Sequence, residues 1–327
     1  MQKLVGITLL LFLFVGCTSS GKSAPANDQA KQITIPQFDS DSSYLYVKKQ
    51  VDFGARVPNS KAHELCGDYL AKEMQRFGAK VIRQKADLKA FDGTILHSTN
   101  IIAAFRPEAK SRVLLCAHWD CRPFCDQDAD PANHHKPVMG ANDAASGVGV
   151  LMEVARQLGK QLSEVGVDLI FLDSEDYGTP EFYKGEQNED SWCLGTQYWA
   201  KNPHVPNYQA RYGILLDMVG APGATFYKEQ ESLNFAPSIV DKVWTKAQEY
   251  GFSAYFVNAT GGAITDDHIY VNKLAGIPCV DIIQFDPHSN TGFGSYWHTS
   301  HDTMDNVDKS TLMAVGQTLL GVVYNEK

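Results

Sequence analysis

Beyond residue 35 the apolar positions repeat with a period that changes several times along the chain. Helical spacing runs over 41–52 and 61–77, and strand-like runs follow at 79–84, 95–105 and 112–117. A helix with one apolar face is expected over 146–159, directly after a Gly-Ala-Asn-Asp turn. The pattern then predicts a strand over 167–173, a helix over 191–200, a strand over 212–218 and a helix over 236–250. A short strand over 253–257, a helix over 266–274, a strand over 278–284 and a helix over 309–323 complete it. Strands alternating with helices predict an α/β fold, with a twisted, mostly parallel or mixed central sheet flanked by helices. No Pro/Gly-rich linker interrupts the pattern, so residues 36–327 read as one domain.

The first residues follow a different rule. MQKLVGITLLLFLFVGC places Lys3 before an apolar run, Val5 to Val15, too short to span a bilayer, which is the pattern of an export signal. The closing Gly16-Cys17 resembles a bacterial lipobox, with Phe14 where Leu is usual. That resemblance implies a lipoprotein signal peptide over 1–17 and lipidation of Cys17 after cleavage. Residues 18–35 are Ser/Ala/Pro-rich and polar, and read as a flexible tether. The expected location is therefore outside the cytoplasm, lipid-anchored at a bacterial membrane and facing periplasm or cell surface. Export permits disulfides, and the six cysteines after Cys17 allow fifteen pairings among which the sequence does not choose. Cys116 and Cys279 lie in apolar runs and read as buried thiols. A net charge of -9 and a pI of about 5.5 argue against nucleic acid as the main partner.

In sheets of this kind, functional groups gather at the carboxyl ends of the strands. Here the strand-like runs do end in chemistry. AHWDCRP presents His118 and Asp120, and GANDAASG presents Asp143 just before a helix. DLIFLDSEDYG runs a buried strand straight into Asp173, Glu175 and Asp176, which is costly unless a positive charge waits there. Asp217 closes YGILLD, Asp266, Asp267 and His268 lie in GGAITDDHIY, and GSYWHTSHDTMDN offers Trp297, His298, His301 and Asp302. Singly, each has a plain explanation, since an Asp before a helix is most often an N-cap. Jointly, Asp, Glu and His at so many strand ends suit a catalytic zinc with an open coordination position.

AHWD, GANDAASGVGVLMEVAR, LIFLDSED, LLDMVG and WHTSHDTMDNVD, in this order, resemble the zinc aminopeptidase superfamily. Within it, HWD, LLDMVGAP, DDHIYVNKLAGIP and YWHTSHDTMDN are similar to the glutaminyl cyclases of the animal type and their bacterial relatives. The resemblance implies one zinc held by Asp143, Asp176 and His298. It implies Glu175 as proton shuttle, with Asp217 and Asp266 in a hydrogen-bonded carboxylate network beside it. Trp297 and Trp192 would wall the substrate pocket. The implied reaction is cyclisation of N-terminal glutamine on peptides and proteins to pyroglutamate, with release of ammonia. Two departures stand out. The animal enzymes carry Glu-Glu where this chain has Glu175-Asp176, and a His where Asp281 stands, so Asp281 is expected to alter hydrogen bonding around the leaving group.

The chain also keeps every residue a two-zinc aminopeptidase needs. A second zinc would use His118 and Asp217 with Asp143 bridging, Asp120 would orient His118, and Glu175 would activate a water. Metal stoichiometry separates the two readings. A third, a non-catalytic binding lipoprotein on this scaffold, is disfavoured because no ligand or shuttle residue is missing.

Overall fold

The computed structural model describes residues 34–185 and 188–327. The expected signal peptide, Cys17 and tether residues 18–33 lie outside the described residues. The strands are β1 (Lys80–Lys89), β2 (Ile95–Phe105), β3 (Arg112–His118), β4 (Gly166–Leu172), β5 (Gly213–Asp217), β6 (Phe226–Lys228), β7 (Phe256–Thr260) and β8 (Cys279–Ile283). The helices are α1 (Ser40–Val51), α2 (Lys61–Arg76), α3 (Ala145–Lys160), α4 (Leu194–Lys201), α5 (Gln230–Phe235), α6 (Pro237–Glu249), α7 (Asp267–Ala275) and α8 (Lys309–Tyr324).

Six strands form a mixed sheet in the order β1-β2-β4-β3-β5-β8. β4, β3, β5 and β8 run parallel, and β2 and β1 are antiparallel additions at one edge. The parallel strands are mostly apolar and almost wholly buried on both faces, as crossover helices require. α3 packs with α1 and α8 and covers β3, β4 and β5, while α4 and α7 pack together against β1, β2, β5 and β8. Register places His118 opposite Leu172 and Asp217 opposite Ile283, so the carboxyl ends of β3, β4, β5 and β8 open on one edge of the sheet. Among the described residues no helix is long and apolar enough to cross a membrane.

The expected α/β architecture is the one found, and most elements fall where the periodicity puts them. Differences arise where burial is partial. β1 continues to Lys89 rather than 84, because its polar alternating half pairs with β2 through Lys89↔Ile95. α4 starts at Leu194 rather than 191, because Cys193 sits in the left-handed region at φ 56°. The strand expected over 253–257 is β7, shifted to 256–260 with an exposed polar half. The short β6 and α5 carry too few residues for periodicity to register. The six cysteines of the described region are all free and buried.

Candidate active site

Three side chains meet at the open edge of the sheet. Asp143 comes from the turn before α3, Asp176 from the segment after β4, and His298 from the loop before α8; their ligand atoms lie within 4.8 Å of one another. Asp143 is not a helix cap: α3 is capped at Ala144, which makes no side-chain bond. The turn is fixed instead by Asp302, whose carboxylate accepts the backbone N–H of Asn142 (2.8 Å) and Asp143 (3.1 Å). Asp120 does the same for the segment after β4, accepting the N–H of Glu175 (3.1 Å) and of Asp176 (3.2 Å). One carboxylate thus aims two neighbouring side chains in different directions.

His298 is held from behind. Its Nδ1 lies 3.7 Å from Asp126 Oδ1, and Nε2 faces Asp143 Oδ2 at 3.5 Å and Asp176 Oδ1 at 3.4 Å. Two atoms each about 2.0–2.1 Å from a tetrahedral zinc lie about 3.4 Å apart, so this spacing is that of ligands around an ion. The carboxylate behind the histidine matches the usual support of a metal-binding imidazole. Both oxygens of Asp176 are buried and accept no hydrogen bond, an arrangement an ion would relieve. The residues therefore fit a zinc ion. Arg122 braces the group, gripping Asp126 with two 2.6 Å bonds and donating to the Asp176 carbonyl at 3.1 Å.

A second cluster shares Asp143. Nε2 of His118 lies 2.9 Å from Asp143 Oδ1 and 3.2 Å from Asp217 Oδ1, and Nδ1 lies 3.7 Å from Asp120 Oδ1. These three, His118, Asp143 and Asp217, also lie within 4.8 Å of one another. The first two distances are those of ordinary hydrogen bonds.

Glu175 belongs to neither set. Burial drives its carboxyl well above the usual range; His118 opposes this, and the charges of Asp176, Asp266 and Asp267 add to it. Burial, with the Asp143 charge, pushes Asp217 up to about 7. Burial also raises Asp266, which is at the same time the N-cap of α7, its side chain accepting from Asp267 N at 2.5 Å. Asp143 goes the other way: burial works against its charge, but His118 and His298 hold it well below the usual range.

A cavity of about 370 Å³ opens on these groups, at the small end of ligand pockets. Trp192, Trp297, Ile264, Phe285 and Phe293 wall it, and Asp143, Glu175, Asp176, Asp217, Asp266 and His298 line its base. The Trp297 ring stacks on His298 at 3.8 Å, and Trp192 lies parallel to it at 6.0 Å, with the Arg122 guanidinium 4.4 Å from the Trp192 ring centre. Gly178 makes room for Trp192: a Cβ there would lie 2.0 Å from the indole. A larger groove of about 850 Å³ runs between α2 and the β1–β2 hairpin; several of its charges pair with one another, as in Arg83–Asp68 at 2.6 Å, and it holds none of these groups.

Asp281 does not line the cavity. It is fully buried on β8, with Oδ2 3.8 Å from His268 Nδ1, and His268 Nε2 lies 3.2 Å from Glu229. Asp173 also leaves the cluster that the sequence places it in: it meets His63 rather than Asp143, Asp176 and His298. Sequence reading missed Arg122, Asp126 and Glu229. Arg122 was the one accessible signal, a cation in a turn otherwise rich in His and Asp.

Residues 100–323 match the model of peptidase family M28. Glutaminyl-peptide cyclotransferase of Bos taurus is 28% identical over 295 residues, covering 79% of this chain and 74% of that protein. The structure of a Bacteroides thetaiotaomicron glutaminyl cyclase bound to N-acetylhistamine is 58% identical, with a TM-score of 0.89 over 90% of this chain and 100% of that one. The structure of a Zn-dependent exopeptidase from Parabacteroides distasonis is 59% identical, with the same TM-score and the same coverage.

Proposed function

We propose, for a chain that belongs to peptidase family M28 and is a homologue of the glutaminyl cyclases, that it is a zinc-dependent glutaminyl-peptide cyclotransferase. Its substrates are peptides and proteins with N-terminal glutamine. The observation that carries the reading is Glu175, a buried carboxylate outside the Asp143–Asp176–His298 set that lines the same small aromatic cavity as those three.

Asp143, Asp176 and His298 would hold one zinc, which when bound would supply Lewis-acid polarisation at the γ-carbonyl of the glutamine. Trp192, Trp297 and Phe293 enclose the glutamine side chain and keep bulk water from the reacting carbon. The α-amine and the γ-carbon share one residue, so their encounter costs little entropy, and the protein's task is charge stabilisation and proton transfer. Glu175 accepts a proton from the amine as the C–N bond forms. It returns that proton to the amide nitrogen, which leaves as ammonia when the second C–N bond breaks. A carboxyl raised by burial suits both directions of transfer near neutral pH. Asp217 and Asp266 flank it as carboxyls that do not all ionise together.

A second reading, the two-zinc aminopeptidase, is favoured by the His118–Asp143–Asp217 cluster. Metal analysis of the purified protein separates the two: one zinc per chain supports the cyclase, and two support the peptidase. Export and attachment through Cys17 belong to the same proposal. Labelled fatty acid should enter the wild-type chain in a bacterial host and not the Cys17→Ser chain.

A further inference from the structure

Glu175 has to hold one orientation toward the substrate while it gains and loses a proton. Oε2 lies 3.6 Å from His118 Nδ1, beyond hydrogen-bond distance. Oε1 has a closer neighbour. The Cys193 thiol lies 3.5 Å from it and points its donor at the carboxylate. Cys193 is fully buried.

The backbone shows that this contact is built into the fold. Cys193 N–H donates to the carbonyl of Glu175 at 3.0 Å, and Leu194 N–H donates to the carbonyl of Ser174 at 3.0 Å. The start of α4 is thus zipped onto the segment after β4. Gly195 allows that approach, since a Cβ there would lie 2.0 Å from the Asp173 carbonyl oxygen. Cys193 occupies the left-handed region at φ 56°, which a side chain tolerates only at some cost. The strained residue is the one whose side chain reaches Glu175.

We propose that Cys193 is a positioning residue, whose thiol hydrogen bonds Glu175 Oε1 and keeps the shuttle carboxylate aimed into the cavity. The inference rests on Glu175 moving the proton, which holds in the cyclase and in the aminopeptidase reading alike. Burial, with the charges of Asp267, Glu175 and Asp266 adding to it, keeps the thiol well above its usual pKa, so it stays a donor at neutral pH. A thiol is a weak donor. It fixes the direction of a carboxylate oxygen with a weaker bond than a backbone N–H would make.

The test compares wild type, Cys193→Ala and Cys193→Ser as zinc-loaded proteins. Both replacements keep a Cβ and so share the backbone strain. The readouts are kcat and KM on a Gln-initiated peptide, or on whichever peptide the wild type turns over, together with zinc content. Loss of one weak hydrogen bond predicts kcat lower by about five- to tenfold in Cys193→Ala, with KM and zinc content unchanged. Cys193→Ser should recover kcat to within about threefold. Wild-type kcat in Cys193→Ala, or equal loss in both variants, overturns the proposal. An infrared measurement tests the contact without turnover. The S–H stretch absent from Cys193→Ser should be that of a bonded thiol and should move toward the free-thiol position in Glu175→Ala. A band indifferent to Glu175 overturns the contact itself. A wild type that acts on neither substrate defeats the functional reading, while the infrared result still decides the thiol's role.

Discussion

Nε2 of His63 lies 2.8 Å from Oδ1 of Asp173, inside the fold and outside the Asp143–Asp176–His298 cluster. Asp173 also accepts the N–H of Ser174 at 2.7 Å and of Thr99 at 2.5 Å, and the His63 ring stacks on Trp119 at 4.2 Å. The first of the three carboxylates after β4 is therefore a structural anchor. His63→Ala leaves it buried without its partner, and should cost about 3 kcal/mol or more of unfolding free energy. Denaturant titration checks this, and zinc content at low temperature should stay at the wild-type level.

Glu175→Gln should fold and load zinc as the wild type does, yet lose kcat by at least about 100-fold. His298→Ala should instead lose the metal itself. Elemental analysis beside steady-state kinetics distinguishes the two effects, and equal zinc loss in both variants would mean Glu175 is a ligand.

What could be read from the sequence followed from burial and its absence. LIFL and ILL were legible as buried strands because nothing polar interrupts them, and the carboxylates after them stood out for the same reason. Asp143 could be placed near the site but not told from a helix cap, since that depends on the backbone at Ala144. The Arg122–Asp126 brace was hidden because its partners, Asp176 and Trp192, lie more than fifty residues on in the chain. Nothing in the sequence singled out Cys193, because only the left-handed turn before α4 brings its sulfur to Glu175.

Burial, with the adjacent Asp266 charge, pushes Asp267 up to about 8. A carboxyl raised in the folded state binds its proton more tightly there than when unfolded. Folding is thus penalised increasingly from about pH 4 upward, and the penalty is complete above about pH 8. Asp267→Asn removes the charge. The variant should match wild type in stability near pH 4 and exceed it by about 2 kcal/mol or more at pH 8. Urea titrations across that range check the sign, and a pH-independent difference would contradict it.

Trp192 stands between Arg122 and the cavity, so Trp192→Ala should raise KM by about tenfold with a smaller change in kcat, and Trp192→Phe should restore most of it. Gly178→Ala forces the same indole aside and should raise KM in the same direction. Unchanged KM in both variants would remove Trp192 from the substrate wall.

The most direct test of the central claim is the mass of a short Gln-initiated peptide after incubation with the zinc-loaded protein. A cyclotransferase gives loss of one ammonia with every residue retained. Release of free glutamine and a peptide shortened by one residue would contradict it, and would move His118 and Asp217 from the carboxylate network to a second metal.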